Sequence, residues 1–523
     1  MKSKKTLFLL IILSFFVITR LIFVSFSPYT FYDEEAKEGS LGYDLLTGGL
    51  RIPFWGYLDS PHAGGSVFTA LVAVPFYLIF GKNYLALKLT ALTFSLVTLA
   101  VIYLYLFPQY KEKLVLPLLL FFVISTPHYL QKSVVHIGNI VEPILIIFLT
   151  LIFIDKIFRK NQKNFVNFAI LGFLCGFGLW VQYIQLGAII TLLIIWFLKD
   201  KFFLTKKFFG IFLSFFILGF SPFIAYNLEY KFASFTADFS INTSVVDISL
   251  QSFFKRLILF FTYWLPQSFR IQGVGIFSSR FLSYFFYLLV WGFIAYLVIT
   301  KRKKLNFSLI LLLYLSVTIF IISFGNFHIG AVPADWGGMF VHDYYYLLFL
   351  QPFIFVLASI GLVELFSKKK KRLLGWGASF LIFAILLIGF LKVVTPPQLN
   401  SFLFEPMRDT MILTYEAGLN YSLNPEVFKN FLEKIDNEFR PSYFLGAGAA
   451  WNEIIEQGKL EEKLNLLKEE LELMDDEERT IFFNSVLKGE PWFNKSPSYQ
   501  FFLEFSKVLG AKDRQILKEA LRE

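Results

Sequence analysis

Runs of about twenty apolar residues, separated by short polar stretches, fill the chain from its start to the Pro396-Pro397 pair. An α-helix needs roughly 20 mostly apolar residues to cross a bilayer. That rule predicts about eleven spanning helices, near residues 6–26, 83–107, 112–130, 140–158, 164–183, 185–198, 207–227, 281–299, 305–324, 344–366 and 373–395. Two further apolar pieces, 66–80 with Pro75 inside it and 255–264, are too short to span and read as outer-face helices at the interface. Beyond Pro396-Pro397 the pattern becomes that of short amphipathic helices, such as Val427-Phe428-Phe431-Leu432-Ile435 and Leu464–Leu473. Pro441, Gly446 and Gly448 read as interruptions there, and Asp475–Glu478 as a solvated charged face. The expected fold class is an all-α polytopic membrane protein, with a transmembrane body over 1–395 and a soluble helical domain over 396–523.

Composition explains why lipid must be the solvent. Of 523 residues 56% are hydrophobic and 17% charged, whereas a soluble domain carries roughly 25% charged residues. Met1–Lys5 is basic, but the apolar stretch after it is long and lacks a small-residue cleavage site, so an uncleaved first helix is expected. The single cysteine, Cys175, allows no intramolecular disulfide.

Charge then orients the helices. From Pro396 onward 23 acids face 15 bases, net −8, which leaves 16 acids and 34 bases, net +18, in the body. Short cytoplasmic loops collect Lys and Arg. With Lys2, Lys4 and Lys5 inside, the loops after the second, fourth, sixth, eighth and tenth helices should be basic. They carry Lys111 and Lys113; Lys156, Arg159, Lys160 and Lys163; Lys199, Lys201, Lys206 and Lys207; Lys301–Lys304; and Lys368–Arg372. The expected topology is therefore a multi-pass protein of the cell inner or plasma membrane. It has a cytoplasmic N-terminus, and the 27–82 loop and the C-terminal domain lie outside. A basic excess held in short loops speaks for membrane lipids as partners and against nucleic acid.

Acids are scarce in the body, and six of the 16 sit in the first outer loop: Asp33, Glu34, Glu35, Glu38, Asp44 and Asp59. A carboxylate close to hydrocarbon is costly unless it is paired or serves a site. The loop reads Tyr32-Asp33-Glu34-Glu35-Ala36, then Gly39, then Tyr43-Asp44-Leu45-Leu46-Thr47-Gly48-Gly49. This predicts an amphipathic helix over 35–46, ended by the glycine pair. Pro53, the Asp59-Ser60-Pro61-His62 turn, the interfacial helix and Gly81 follow, with Lys88-Leu89 opening the second span.

This order resembles the C-type (GT-C) integral-membrane glycosyltransferases, in the branch of the dolichyl-phosphate-mannose protein mannosyltransferases (family 39) and the aminoarabinose transferases. The resemblance is best over residues 6–230. His342-Asp343-Tyr344-Tyr345-Tyr346 ahead of Pro352 also looks like the start of a late helix in these enzymes. The resemblance implies transfer of a sugar from a polyprenyl-phosphate donor to an acceptor (protein, lipid or glycan) on the non-cytoplasmic side, with inversion. By that correspondence Asp33 is the first candidate for the base that takes the acceptor proton, with Glu34 the alternative.

In the second outer loop His136 stands at a basic position of the pattern and Glu142 at an acidic one, so Glu142 joins the catalytic candidates. A helix-start acid favoured by the macrodipole is the other reading of Glu142. Lys132, Arg270, Arg280 and His342 are candidates for holding the donor phosphate. Their alternative is anchoring at lipid headgroups. Glu35, Asp59, His62, His136 and Tyr344 are candidate substrate contacts.

A divalent cation held among Asp33, Asp59, His62, His328 and His342 is a second possibility, but no strong metal-ligand spacing occurs and no cofactor is expected to be required. No P-loop or Rossmann glycine fingerprint is present, which fits a donor arriving through the membrane. A transporter or flippase for a lipid-linked glycan is the alternative function. Such proteins usually carry internal repeats and midplane polar sites, and neither stands out here. A non-catalytic scaffold docking partners through its acidic tail is the third.

Overall fold

A computed structural model gives the fold. It describes residues 2–27, 65–135, 141–200, 207–229, 249–271, 278–301, 306–324, 349–394, 425–433, 440–456, 460–488 and 509–520, with isolated positions between them (35, 39, 41, 42, 231, 232, 234, 418, 435, 437, 505 and 506). Asp33, Glu34, Asp59, His62, His136, His328, His342 and Tyr344 lie outside the described residues, as does most of the 35–46 segment.

Helices run in the order α1 Lys2–Phe26, α2 Gly65–Phe80, α3 Tyr84–Tyr110 and α4 Val115–Leu118, continued as a π-helix over Leu119–Ile124. Then come α5 Pro127–Lys132, α6 Val141–Ile154, α7 Phe165–Val181, α8 Gln185–Lys199 and α9 Lys207–Glu229. α10 Leu250–Leu259 continues through a π-turn to Ser268, and α11 Ser279–Lys301, α12 Phe307–Phe324, α13 Gln351–Ser367 and α14 Arg372–Val393 complete the apolar series. The C-terminal helices are α15 Pro425–Leu432, α16 Arg440–Glu456, α17 Leu464–Glu472, α18 Asp476–Lys488 and α19 Ala511–Ala520. Among the described residues, five helical stretches are long and apolar enough to cross a membrane: Lys4–Phe26, Tyr84–Ile124, Lys207–Glu229, Ser279–Thr300 and Lys369–Val393. Shorter apolar helices accompany them at 67–80, 165–181, 185–199, 307–323 and 351–367. The protein is an all-α polytopic membrane protein.

One expected span is not a single helix. Over 112–130 the chain makes a 3-10 turn at Lys111–Leu114, then α4 and its π-helical end, and breaks at Ser125, whose φ is 53°. Pro127 then opens the separate short helix α5 behind Thr126, whose hydroxyl caps it by accepting from the Tyr129 N–H. Apolar count alone cannot register a break made by one residue in the left-handed region.

The chain packs as two units. The first comprises Met1–Glu35, Asn83–Phe220 and Val246–Glu405. Its centre is α13, buried along nearly its whole length between α11, α12, α14 and the 111–124 segment. α7 and α9 approach closely at small residues. A Cβ on Gly172 would meet the Phe212 carbonyl oxygen at 2.2 Å, one on Gly176 the Phe216 oxygen at 2.0 Å, and one on Gly219 the Phe173 oxygen at 2.5 Å. This is the small-residue contact by which helices associate in lipid, where apolar burial supplies no drive.

The N-terminus and the basic loops around Lys113, Arg159 and Lys368 share one end of the bundle. The Tyr103 hydroxyl donates to the Lys5 carbonyl, Lys113 Nζ donates to Ser367 Oγ at 3.2 Å, and Asp155, buried, pairs with Arg159 at 2.5 Å and accepts from the Tyr105 hydroxyl. The ammonium groups of Lys368 and Lys371 stand over the Tyr296 ring.

The second unit comprises Ala36–Lys82, Ser221–Val245 and Pro406–Glu523. Within it Tyr77 of α2 donates to the Gly39 carbonyl at 3.0 Å. In its C-terminal part α16 packs along α18. Two expectations from sequence are corrected here. Pro441, Gly446 and Gly448 do not interrupt a helix but lie within α16. Pro441 sits in its first turn, where a missing N–H costs nothing. Gly448 lets α18 close in, because a Cβ there would stand 2.4 Å from the Phe482 oxygen. Nor is Asp475–Glu478 only a solvated face. Asp475 Oδ1 accepts from the Glu478 N–H and Glu478 Oε2 accepts from the Asp475 N–H, both at 2.9 Å, a reciprocal capping box at the start of α18. Glu478 also pairs with Arg440 at 2.7 Å.

Candidate functional site

At the end of the first unit opposite the basic loops, polar side chains from α1, α3, the 125–133 segment, α6, the 265–271 segment and α13 converge, with Glu35 beside them. The first comes from α1, an apolar helix with one buried cation, Arg20. The π-helical end of α4 terminates at Ser125 and leaves its last carbonyls without helical partners. Arg20 fills that need. Its Nη2 donates to the Phe122 oxygen at 2.6 Å and its Nη1 to the Val123 oxygen, while Nε donates to Ser133 Oγ at 3.0 Å. The guanidinium lies 3.9 Å from the Phe16 ring centroid. Ser133 is held in turn by α3, since Ser95 Oγ donates to its carbonyl at 2.9 Å. Ser95, Thr98, Tyr129, Lys132 and Ser133, with Val141 and Ile144, enclose a cavity of about 10 Å³, roughly the room of one water. Lys132 is thus buried and polar-lined, and Glu142, one residue after Val141, is fully buried on the first turn of α6.

Two turns along α3 from Ser95 stands Lys88. The helix begins because Asn83 caps it, its Oδ1 accepting from the Ala86 N–H at 3.0 Å. Lys88 Nζ donates to both carboxylate oxygens of Glu35, at 2.7 and 2.5 Å, and both side chains are at most 2% exposed. Removing two charges from water costs several kcal/mol per ion, so such a pair persists only with close geometry.

The third group surrounds Ser268 at the end of the α10 segment. His128 Nδ1 lies 2.7 Å from the Ser268 carbonyl, a contact that places the ring proton on Nδ1. Gln351, at the start of α13, donates to the same carbonyl at 2.7 Å, and its oxygen accepts from Thr126 Oγ1 at 3.4 Å. Gln267 is 1% exposed, and neither polar atom of its carboxamide finds a hydrogen-bond partner among the described residues. Arg270 follows with φ 48°, a left-handed conformation that costs a non-glycine residue about 1–3 kcal/mol. The flanking backbone enforces it. The Arg270 N–H reaches the Gln267 oxygen at 3.0 Å, and the Ile271 N–H reaches Ser283 Oγ at 3.1 Å. Both Arg270 and Lys132 act electrostatically on His128.

Of the residues singled out from sequence, Glu35, Lys132, Glu142 and Arg270 therefore stand at this end of the bundle, and Arg280 is exposed on the first turn of α11. Lys88 was read as the residue opening the second span and not as a site residue, and Arg20, His128, Gln267 and Gln351 went unnoticed. A lone Arg inside a spanning helix was the one visible signal among them. The described residues contain no cluster of three or more His, Cys, Asp or Glu placed to hold a metal ion. Chemically the arrangement offers cations and amide donors for an anion, beside a loop whose one described carboxylate is already paired.

No family model matches the chain, and no curated protein matches it. Among solved structures it is similar to ArnT from Cupriavidus metallidurans in the apo state, with 13% identity, a TM-score of 0.48, and coverage of 86% of this chain and 80% of that one. A likeness of that size does not extend to residues or activity.

Proposed function

We propose that the chain is a glycosyltransferase that moves a sugar from a polyprenyl-phosphate-linked donor to an acceptor on the non-cytoplasmic face, with inversion at the anomeric carbon. The observation that carries this reading is the buried Glu35–Lys88 pair. It ties the acidic loop to α3 immediately after Asp33 and Glu34, on the end of the unit that also presents Lys132, His128 and Arg270. Glycosyl transfer needs those two elements together: a carboxylate to take the acceptor proton, and preorganised cations or donors where charge develops on the departing phosphate. Asp33 is assigned as the base, with Glu34 as its alternative. Arg270 and Lys132 are assigned to the phosphate, with Arg280 and His342 as further candidates. Glu142 is a second acidic candidate, and Glu35 takes a positioning role through Lys88. No metal is required in this scheme.

The gathering of basic loops at the other end of the unit supports an N-terminus on the cytoplasmic side and a C-terminal domain outside. The test is transfer from a panel of labelled polyprenyl-phosphate sugars in proteoliposomes, with envelope glycans and lipids of cells with and without the gene compared by mass spectrometry to identify the acceptor. Asp33→Asn should abolish transfer while expression and insertion stay normal. Full activity in both Asp33→Asn and Glu34→Gln sinks the base assignment. Flux of a lipid-linked glycan without any glycosylated product sinks the transferase reading.

A further inference from the structure

We propose that the hollow between the Lys111–Leu114 turn and the α13–α14 hairpin binds the phosphate of an anionic phospholipid, at the end of the bundle where the basic loops gather. The hollow has a volume of about 570 Å³, within the roughly 300–1,000 Å³ common for small-ligand sites. Its polar lining carries three cations, Lys113, Lys369 and Arg372, against one carboxylate, Glu112, with Ser367 among them. Lys113 is steadied by its bond to Ser367 Oγ.

The five-residue basic run is divided between two tasks. Lys368 and Lys371 point to the Tyr296 ring, at 5.6 and 4.6 Å, while Lys369 and Arg372 line the hollow. Arg372 suits a bidentate grip on phosphate oxygens.

The remaining wall is apolar and continuous with the lipid-facing side of α14. Phe366 and Trp376 meet edge to face at 5.3 Å, and Trp376 is 53% exposed. Leu373, Leu374 and Phe380 are exposed by 85, 63 and 74% on the same helix. Tryptophan settles at the headgroup level of a bilayer, and basic pockets between spanning helices take anionic headgroups. A free small anion would use the cations and leave the apolar wall without purpose, so the lipid is the occupant that fits both halves. This inference stands whether or not the chain transfers a sugar.

The test is native mass spectrometry of the full-length protein from detergent, with phosphatidylglycerol and phosphatidylcholine as probes. Phosphatidylglycerol should be retained at about tenfold lower concentration than phosphatidylcholine. Lys369→Gln with Arg372→Gln should erase that preference. Lys368→Gln with Lys371→Gln removes the same charge from the same run and should keep it. All four residues are exposed, so neither double variant threatens the fold. Equal loss in the two double variants would mean a diffuse basic surface and overturns the site. Equal retention of the two lipids also overturns it, as does displacement of phosphatidylglycerol by millimolar inorganic phosphate.

Discussion

The Lys88 ammonium lies within 2.7 Å of one Glu35 oxygen and 2.5 Å of the other, although 53 positions of chain separate the two residues and neither side chain meets solvent. A pair so placed joins the acidic loop to α3. Breaking it by removing one partner leaves a buried charge uncompensated, at about 3–5 kcal/mol. Glu35→Gln or Lys88→Met alone should therefore lower the melting temperature in detergent sharply, and the double variant should recover much of the loss. A double variant no more stable than the worse single one would mean the pair is not the source of the effect.

Arg20 makes four hydrogen bonds that depend on the planar guanidinium fork, two of them to the last carbonyls of the π-helical segment. A lysine carries the same charge as a point and cannot reach all the acceptors at once. Arg20→Lys is expected to cost about 1–3 kcal/mol through the polar groups left unsatisfied, read as a thermal shift. An unchanged melting point would show that these carbonyls find other donors.

At the α7–α9 contact, Gly176→Ala places a Cβ 2.0 Å from the Phe216 oxygen, a backbone atom that cannot swing away. The helices must separate, and overpacking of this kind typically costs about 1–3 kcal/mol. Gly210→Ala, on the same α9 but with nothing near its Cβ position, is the internal control. It should leave stability unchanged or slightly raised, since alanine favours a helix by about 1 kcal/mol over glycine.

In the C-terminal part, Glu470 is fully buried on α17 and accepts a hydrogen bond from Trp451 Nε1 at 2.7 Å. Burial pushes its carboxyl well above the usual carboxylate range. The Trp451 bond opposes that shift, and the neighbouring Glu469 charge adds to it. A folded-state value above the unfolded one, about 4.3, means its stabilising contribution is complete below that pH and is lost as pH rises through the folded value. Hydrogen exchange over 440–488 in the full-length protein should therefore slow in Glu470→Gln relative to wild type at neutral pH. The difference should shrink toward pH 5, where the other carboxylate pairs weaken equally in both. A difference that grows on acidification would contradict the assignment.

Most of the helical plan could be read from the chain, because an apolar run of membrane length leaves few alternatives. The segments expected at 164–183, 185–198 and 207–227 correspond to α7, α8 and α9 almost residue for residue. Interruptions were harder. Ser125 breaks a segment two residues before Pro127, a proline the apolar count passed over, while Pro441 and Gly448 sit in a helix they were expected to end. In each case the deciding partner, an arginine from α1 or a carbonyl from α18, is remote in sequence. The same holds at the site. Lys132 and Arg270 were picked out as cations that the loop count placed on the outer face, whereas His128, Gln267 and Gln351 acquire meaning only when the 127–132, 265–271 and 349–353 segments meet around one carbonyl.

The bonds of Arg20 also set an order of assembly. α1 emerges from the ribosome about a hundred residues before Phe122, Val123 and Ser133 exist. Until then its guanidinium sits on a helix apolar enough to enter the bilayer, without three of its four hydrogen-bonding partners. A charged residue at mid-helix costs about 2.5–3.5 kcal/mol during insertion, and Arg20, near the end of α1, can snorkel to the interface meanwhile. The arginine turns inward when the 119–133 segment arrives, so the earliest helix is completed by one made much later, and a chain stopped before residue 133 would leave α1 in the membrane with its cation still facing the headgroups.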